Sequence, residues 1–250
     1  MVMWLERFYR SDGSAVFVSP AQASRFAKEV AGDWNPIHDA DSRRFCVPGD
    51  LLFAIVLARY GLSQRMRFSF KGMVGEGIAL HLPTDPGALV EVSDASGKVY
   101  LEVERGGPVI ADPDSIERFT RRYVAFSGRN FPHYLKPLMA KHGVMFNPDR
   151  PLVIYDSMGF ELQSAATGVL DMELDDAVMD VPGKRAEAVL HFRIRDGERD
   201  IGYGRKKLII SGLRPYDEDR LQAFIDEFSA RIDAYDGASR ETGGEREEGA

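Results

Sequence analysis

The chain has a single cysteine, Cys46, so no intramolecular disulfide forms, and no Cys/His group shows zinc-ligand spacing. Long apolar runs are missing as well. The longest, residues 51–58, falls far short of a bilayer span. Residues 1–10 place charges inside a short apolar stretch and lack the layout of a signal peptide. Positive charge is in deficit: the formal net charge is −7, which argues against broad binding to a phosphate backbone. The expectation is a soluble cytoplasmic protein with no metal, no resident cofactor, and no nucleic-acid or membrane partner.

What is present suffices for a packed core, since 44% of 250 residues are hydrophobic and 10% aromatic. Residues 16–18 read as a short strand. Ser19-Pro20 then supplies a helix start, a hydroxyl cap followed by proline at the first helical position. Ala23, Phe26, Ala27 and Val30 form one apolar stripe, and Gly32 offers a stop. A polar loop, residues 33–44, contains Pro36. Val47-Pro48-Gly49-Asp50 opens a second helix that is apolar all round and therefore expected to be buried. Beyond Gly61 the period changes to two. Met66, Phe68 and Phe70 alternate with polar residues, as do Val90 and Val92, then Val99, Leu101 and Val103, with a hairpin turn at 94–97. Such a meander is expected to wrap the buried helix.

The second half repeats the plan in outline. Residues 115–126 carry a helical stripe, and the following string, Ser127 to His133, places Gly, Asn, Pro and His in the order found at 31–38. An apolar segment, 151–162, precedes strand-like runs at 169–174, 186–195 and 201–211, and internal duplication is the expectation. Residues 217–235 read as a closing helix. The remainder is poor in apolar side chains and is expected to be disordered. The division is therefore 1–112, 113–214, a helix at 215–235 and a tail at 236–250.

The string Gly32-Asp33-Trp34-Asn35-Pro36-Ile37-His38 resembles the G-D-x-N-P-[apolar]-H motif of the MaoC-like, (R)-specific enoyl-CoA hydratase family, and every defined position agrees. The clear likeness runs from about Ala21 to Ala58; beyond it, the match is one of element order. The resemblance implies an α+β architecture of two fused hotdog folds, each an antiparallel sheet wrapped around a helix. It implies Asp33 and His38 as the catalytic pair and the Gly49 N–H as donor to a thioester oxygen. Val47, Pro48, Leu52 and Phe53 would line the acyl site, while Asn35 and Pro36 would shape the loop. In the second half Arg129 follows Gly128 where an acid would be needed, so that half is expected to be catalytically silent.

The chemistry stands on its own terms. Adding water to a 2-enoyl thioester needs a base for the water proton and an acid for C2, and a paired carboxylate and imidazole can divide those tasks. First-turn amides of a buried helix can stabilise the developing enolate oxygen. The expected partner is an acyl thioester carried by coenzyme A or an acyl carrier protein, and the expected assembly is a monomeric pseudo-dimer or a homodimer. Two other readings compete: a non-catalytic acyl-binding module, and a thioesterase using Asp50. Arg43, Arg44, Arg65, Arg67, Lys71 and the run Arg205-Lys206-Lys207 are candidate phosphate contacts, although each group reads more simply as a solvated face.

Overall fold

The computed structural model describes residues 3–128, 131–164 and 168–244. After a 3-10 turn at Met3–Phe8, the chain forms β1 (Arg10–Asp12), β2 (Ala15–Phe17), α1 (Pro20–Phe26) and α2 (Gly49–Tyr60). Strands β3 (Leu62–Phe70), β4 (Ala79–His81), β5 (Leu89–Ser93) and β6 (Val99–Ile110) complete the first half. The second half holds α3 (Pro113–Gly128), α4 (Phe131–His142) and β7 (Val144–Met145), followed by β8 (Leu152–Leu162), β9 (Leu170–Asp180), β10 (Arg185–Asp196), β11 (Arg199–Ser211), β12 (Arg214–Pro215) and α5 (Glu218–Gly244).

The expected start of α1 is present in full. The Ser19 hydroxyl accepts from the Gln22 N–H while the Gln22 side chain accepts from the Ser19 N–H, a reciprocal cap. The helix widens to a π turn over Ala27–Ala31 and stops at Gly32, whose φ of 64° suits a residue without Cβ. The Asp33 N–H then donates to the Ala27 carbonyl at 2.8 Å, which fixes the direction in which the following loop leaves.

One antiparallel sheet of ten strands, ordered β1-β2-β4-β5-β6-β3-β8-β11-β10-β9, runs through the molecule; β7 and β12 pair separately. Its two halves meet where β3 pairs with β8, from Arg65↔Glu161 to Ser69↔Ser157. Helix α2 is enclosed against this sheet and α3. Leu51, Leu52, Phe53, Ala54, Ile55, Val56 and Leu57 are all buried, in keeping with the absence of a polar face. Each fully buried large apolar side chain contributes roughly 1.5–3 kcal/mol relative to exposure, so this helix is a main source of cohesion in the first half. A second core, including Leu135, Met139, Phe146, Leu190, Ile210, Leu221 and Ile225, lies between α4, α5 and the strands β8 to β11.

Several expectations need correction. Strand β6 runs through Gly107 and Pro108 to Ile110, with Pro108 in the interruption of its pairing to β3. The described parts of the string from Ser127 to His133 are helical, unlike the loop that follows Gly32. Gly128 ends α3, Phe131 already begins α4, and His133 is an exposed helical residue. Pro132 fits the first turn of a helix, where its missing N–H has no partner to lose. Arg129 lies outside the described residues. Helix α5 runs on past Tyr235 to Gly244, where a disordered tail was expected, and residues 245–250 lie outside the described residues. Among the described residues, no helix is long and apolar enough to cross a membrane.

Candidate active site

Asn35 organises the loop after Gly32. Its side-chain oxygen accepts from the Ile37 N–H at 3.4 Å, which caps a 3-10 turn over Pro36–His38. Its amide nitrogen donates to the Val153 carbonyl on β8 at 3.0 Å. The Asn35 N–H in turn donates to Asp33 Oδ1 at 2.9 Å. The loop is thus bent and pinned, and Asp33 and His38 face each other, with His38 Nε2 3.6 Å from Asp33 Oδ2. Both side chains are buried.

The tautomer of His38 follows from its other nitrogen. Nδ1 lies 2.7 Å from the Cys46 carbonyl, which can only accept, so Nδ1 carries a hydrogen and donates. In the neutral ring, Nε2 therefore presents a lone pair toward Asp33. Two acceptors at 3.6 Å need a shared proton or a bridging donor between them. Burial pushes the Asp33 carboxyl above its ordinary range; His38 opposes that shift most, followed by the Asn35 N–H.

The pair opens on a cleft of about 200 Å³. Besides Asp33, Asn35, Ile37 and His38, its walls include Val47, Gly49 and Leu52 from the start of α2, and Phe70, Met73 and Val74 beyond β3. The second half supplies Val153, Ile154, Tyr155 and Leu208. Gly49 lies at the N-terminus of α2, where first-turn N–H groups have no intrahelical acceptor and meet the positive end of the helix dipole. A Cβ on Gly49 would come within 3.0 Å of Phe70 Cζ and 3.2 Å of Tyr155 Cδ2, so the slot between the two rings exists because the residue is glycine.

Of the residues expected to line an acyl site, Val47 and Leu52 lie in the wall of this cleft. Pro48 and Phe53 do not. Phe53 points the opposite way from α2 and stacks on Tyr123 with ring centroids 4.4 Å apart, because the all-apolar helix must fill the core on every side. Of the expected basic rim, Lys71 lines the cleft and pairs with Glu102 at 2.7 Å. Arg43 and Arg44 line a separate surface cleft with Arg150. Arg65 and Arg67 are exposed on β3.

Lys206 overturns the reading of 205–207 as a solvated face. It is fully buried, 3.3 Å from Asp50 Oδ1, and donates to the Tyr123 carbonyl at 3.0 Å. Asp50 Oδ2 accepts from the Tyr155 hydroxyl at 3.2 Å. Burial raises the Asp50 carboxyl, opposed mainly by Lys206, and lowers the Lys206 ammonium, opposed mainly by Asp50. The signal for Lys206 was present in the chain: Ile210, Leu208 and Lys206 occupy successive inward positions of a period-two strand. Among the described residues, no group of His, Cys, Asp and Glu side chains is placed to hold a metal ion.

Solved structures with some likeness to the chain include a MaoC-like dehydratase, 11% identical, covering 83% of this chain and 99% of that one, with a TM-score of 0.43. An acyl-CoA thioesterase II, TesB2, from Mycobacterium marinum is 10% identical over 85% of this chain and 99% of that one, with a TM-score of 0.42. The peroxisomal multifunctional enzyme type 2 from Drosophila melanogaster is 10% identical over 78% of this chain and 47% of that one, also with a TM-score of 0.42. At such scores, likeness carries no argument about chemistry. No curated protein matches the chain significantly. The family model described as "Protein of unknown function (DUF3581)" matches residues 3–219, most of the chain, and the chain belongs to that family.

Proposed function

We propose that the protein is an acyl-thioester hydratase or dehydratase built on two fused hotdog units, with Asp33 and His38 as its acid–base pair. The observation that carries this reading is the meeting of Asp33, His38 and the Gly49 end of α2 on one cleft. A water between Asp33 Oδ2 and His38 Nε2 can donate a hydrogen to each, so its oxygen lone pair is free for carbon. In hydration, that oxygen bonds to C3 of a 2-enoyl thioester as one of its protons passes to the pair. The C2–C3 π electrons move toward the thioester carbonyl, and the Gly49 N–H stabilises the enolate oxygen. The pair then delivers a proton to C2, which restores its starting state and completes the addition of water. Dehydration is the reverse. Acid–base help of this kind is typically worth ~100- to 10,000-fold in rate. Coenzyme A or an acyl carrier protein is the carrier in this reading.

Asp50 is a poor candidate for thioester hydrolysis. It is 1% exposed, both its carboxylate oxygens are engaged, and it does not line the cleft. The test is purified protein with crotonyl-CoA and longer 2-enoyl-CoAs, following loss of the enoyl absorbance. Turnover is expected to fall at least about 100-fold in Asp33→Ala and in His38→Ala. Turnover that survives both substitutions would remove the mechanism. Ligand binding with no turnover on any substrate would leave only an acyl-binding module.

A further inference from the structure

The reaction scheme gives the fully buried Lys206 no task. Its ammonium lies 3.3 Å from Asp50 Oδ1, and 4.3 Å and 5.2 Å from the ring centroids of Tyr123 and Tyr155. Tyr155 completes the arrangement, with its ring in the cleft wall and its hydroxyl on Asp50. A buried ion pair is a weak source of stability, because desolvating both charges offsets their attraction. Its location suggests a different role. Asp50 directly follows Gly49, so holding its carboxylate holds the turn that presents the Gly49 N–H. Both groups that hold it, Tyr155 on β8 and Lys206 on β11, come from the second half.

We propose that Lys206, Asp50 and Tyr155 are positioning residues, a charge clamp reaching across the junction that fixes the start of α2 and sets the electric field at Asp33. The proposal rests on the reading of Asp33 as an acid–base group. His38 lies 3.6 Å from Asp33 on the same loop, and the charges of Asp50 on α2 and Lys206 on β11 also act on the buried Asp33 carboxyl. His38 and Lys206 favour the carboxylate; Asp50 disfavours it, as burial does. Removing the anion and removing the cation must therefore move the Asp33 titration in opposite directions, which loosened packing alone does not do.

The experiment is a carboxyl titration of the full chain by carbon-13 NMR with labelled aspartate and no substrate, the Asp33 signal being assigned by its loss in Asp33→Asn. Asp50→Asn is expected to lower the Asp33 midpoint by about one pH unit, and Lys206→Met to raise it by a similar amount. Midpoints that stay in place, or move in the same direction, overturn the clamp. Should Lys206→Met fail to fold because Asp50 is left buried without its cation, D50N is compared with the charge-free double variant D50N/K206M. Loss of Lys206 must then still raise the midpoint, and equal midpoints overturn the proposal. Because no substrate is present, opposite shifts in a protein without hydratase turnover would support the clamp while ending the proposed reaction. Turnover together with unmoved midpoints would do the reverse.

Discussion

The Asn35 amide donates to the Val153 carbonyl at 3.0 Å, tying the loop that holds Asp33 and His38 to a strand 118 residues further along the chain. The same side chain caps the Pro36–His38 turn, so one residue bends the loop and moors it.

Asn35→Ala is expected to cost about 1–3 kcal/mol, since it leaves a buried carbonyl without its donor. Asn35→Asp should be at least as damaging, because a carboxylate cannot donate to that carbonyl. Thermal unfolding of both variants checks this; an unchanged Tm in either would show that the mooring is dispensable.

Gly49→Ala tests the slot between Phe70 and Tyr155. The added Cβ would sit about 3.0 Å from Phe70 Cζ, a contact that small ring movements relieve, so stability is expected to change little. Turnover should nonetheless fall by roughly 100-fold or more, the scale of losing one oxyanion donor, because the methyl group fills the approach to the helix amide. The comparison is the turnover ratio against the change in Tm.

Asp33→Asn is expected to stabilise the protein near neutral pH while abolishing turnover. Burial raises the Asp33 carboxyl in the folded state, so the folded chain holds that proton more tightly than the unfolded chain. The stability this contributes is fully present below the unfolded value, ~3.9, and is lost as pH rises through the folded value. Each kcal/mol recovered by the amide should raise Tm by about 2–4 °C, and the gain should shrink toward pH ~4. A variant less stable than the parent at neutral pH would contradict the sign.

Cys46 reports on the cleft. Its thiol is buried, pushed up to about 11 by desolvation, and lies in the cleft wall beside the carbonyl that holds His38. With a thiol-reactive dye at mildly alkaline pH, labelling is expected to be about a hundredfold slower than for a free thiol near 8.5. Denaturant should abolish the protection. Fast labelling of the native protein would mean that the loop opens readily.

The first half of the site was largely legible in the chain. Ser19-Pro20, Gly32 and the all-round apolar run after Pro48 each have one local solution, and the structure adopts it. Phe53 was misplaced because a helix without a polar face gives no sign of which side meets the cleft. The second half was harder. Flanking Arg205 and Lys207 masked the inward position of Lys206, and the residue order around Pro132 echoed 31–38 although Pro132 sits in the first turn of α4. Val153 and Tyr155 carry no motif; they reach the cleft through the tertiary placement of β8 beside β3 and β11.

The pairing of β8 with β3 has a practical consequence for anyone dissecting the protein. A fragment ending near residue 112 would keep the whole G-D-x-N-P-x-H string yet expose the β3 edge and forfeit Val153, Tyr155, Leu208 and Lys206 together. Expressed alone, such a piece should be sticky and inert, and adding back the missing portion in trans should recover both solubility and ligand uptake. The half without a motif is thus the jig on which the other is assembled.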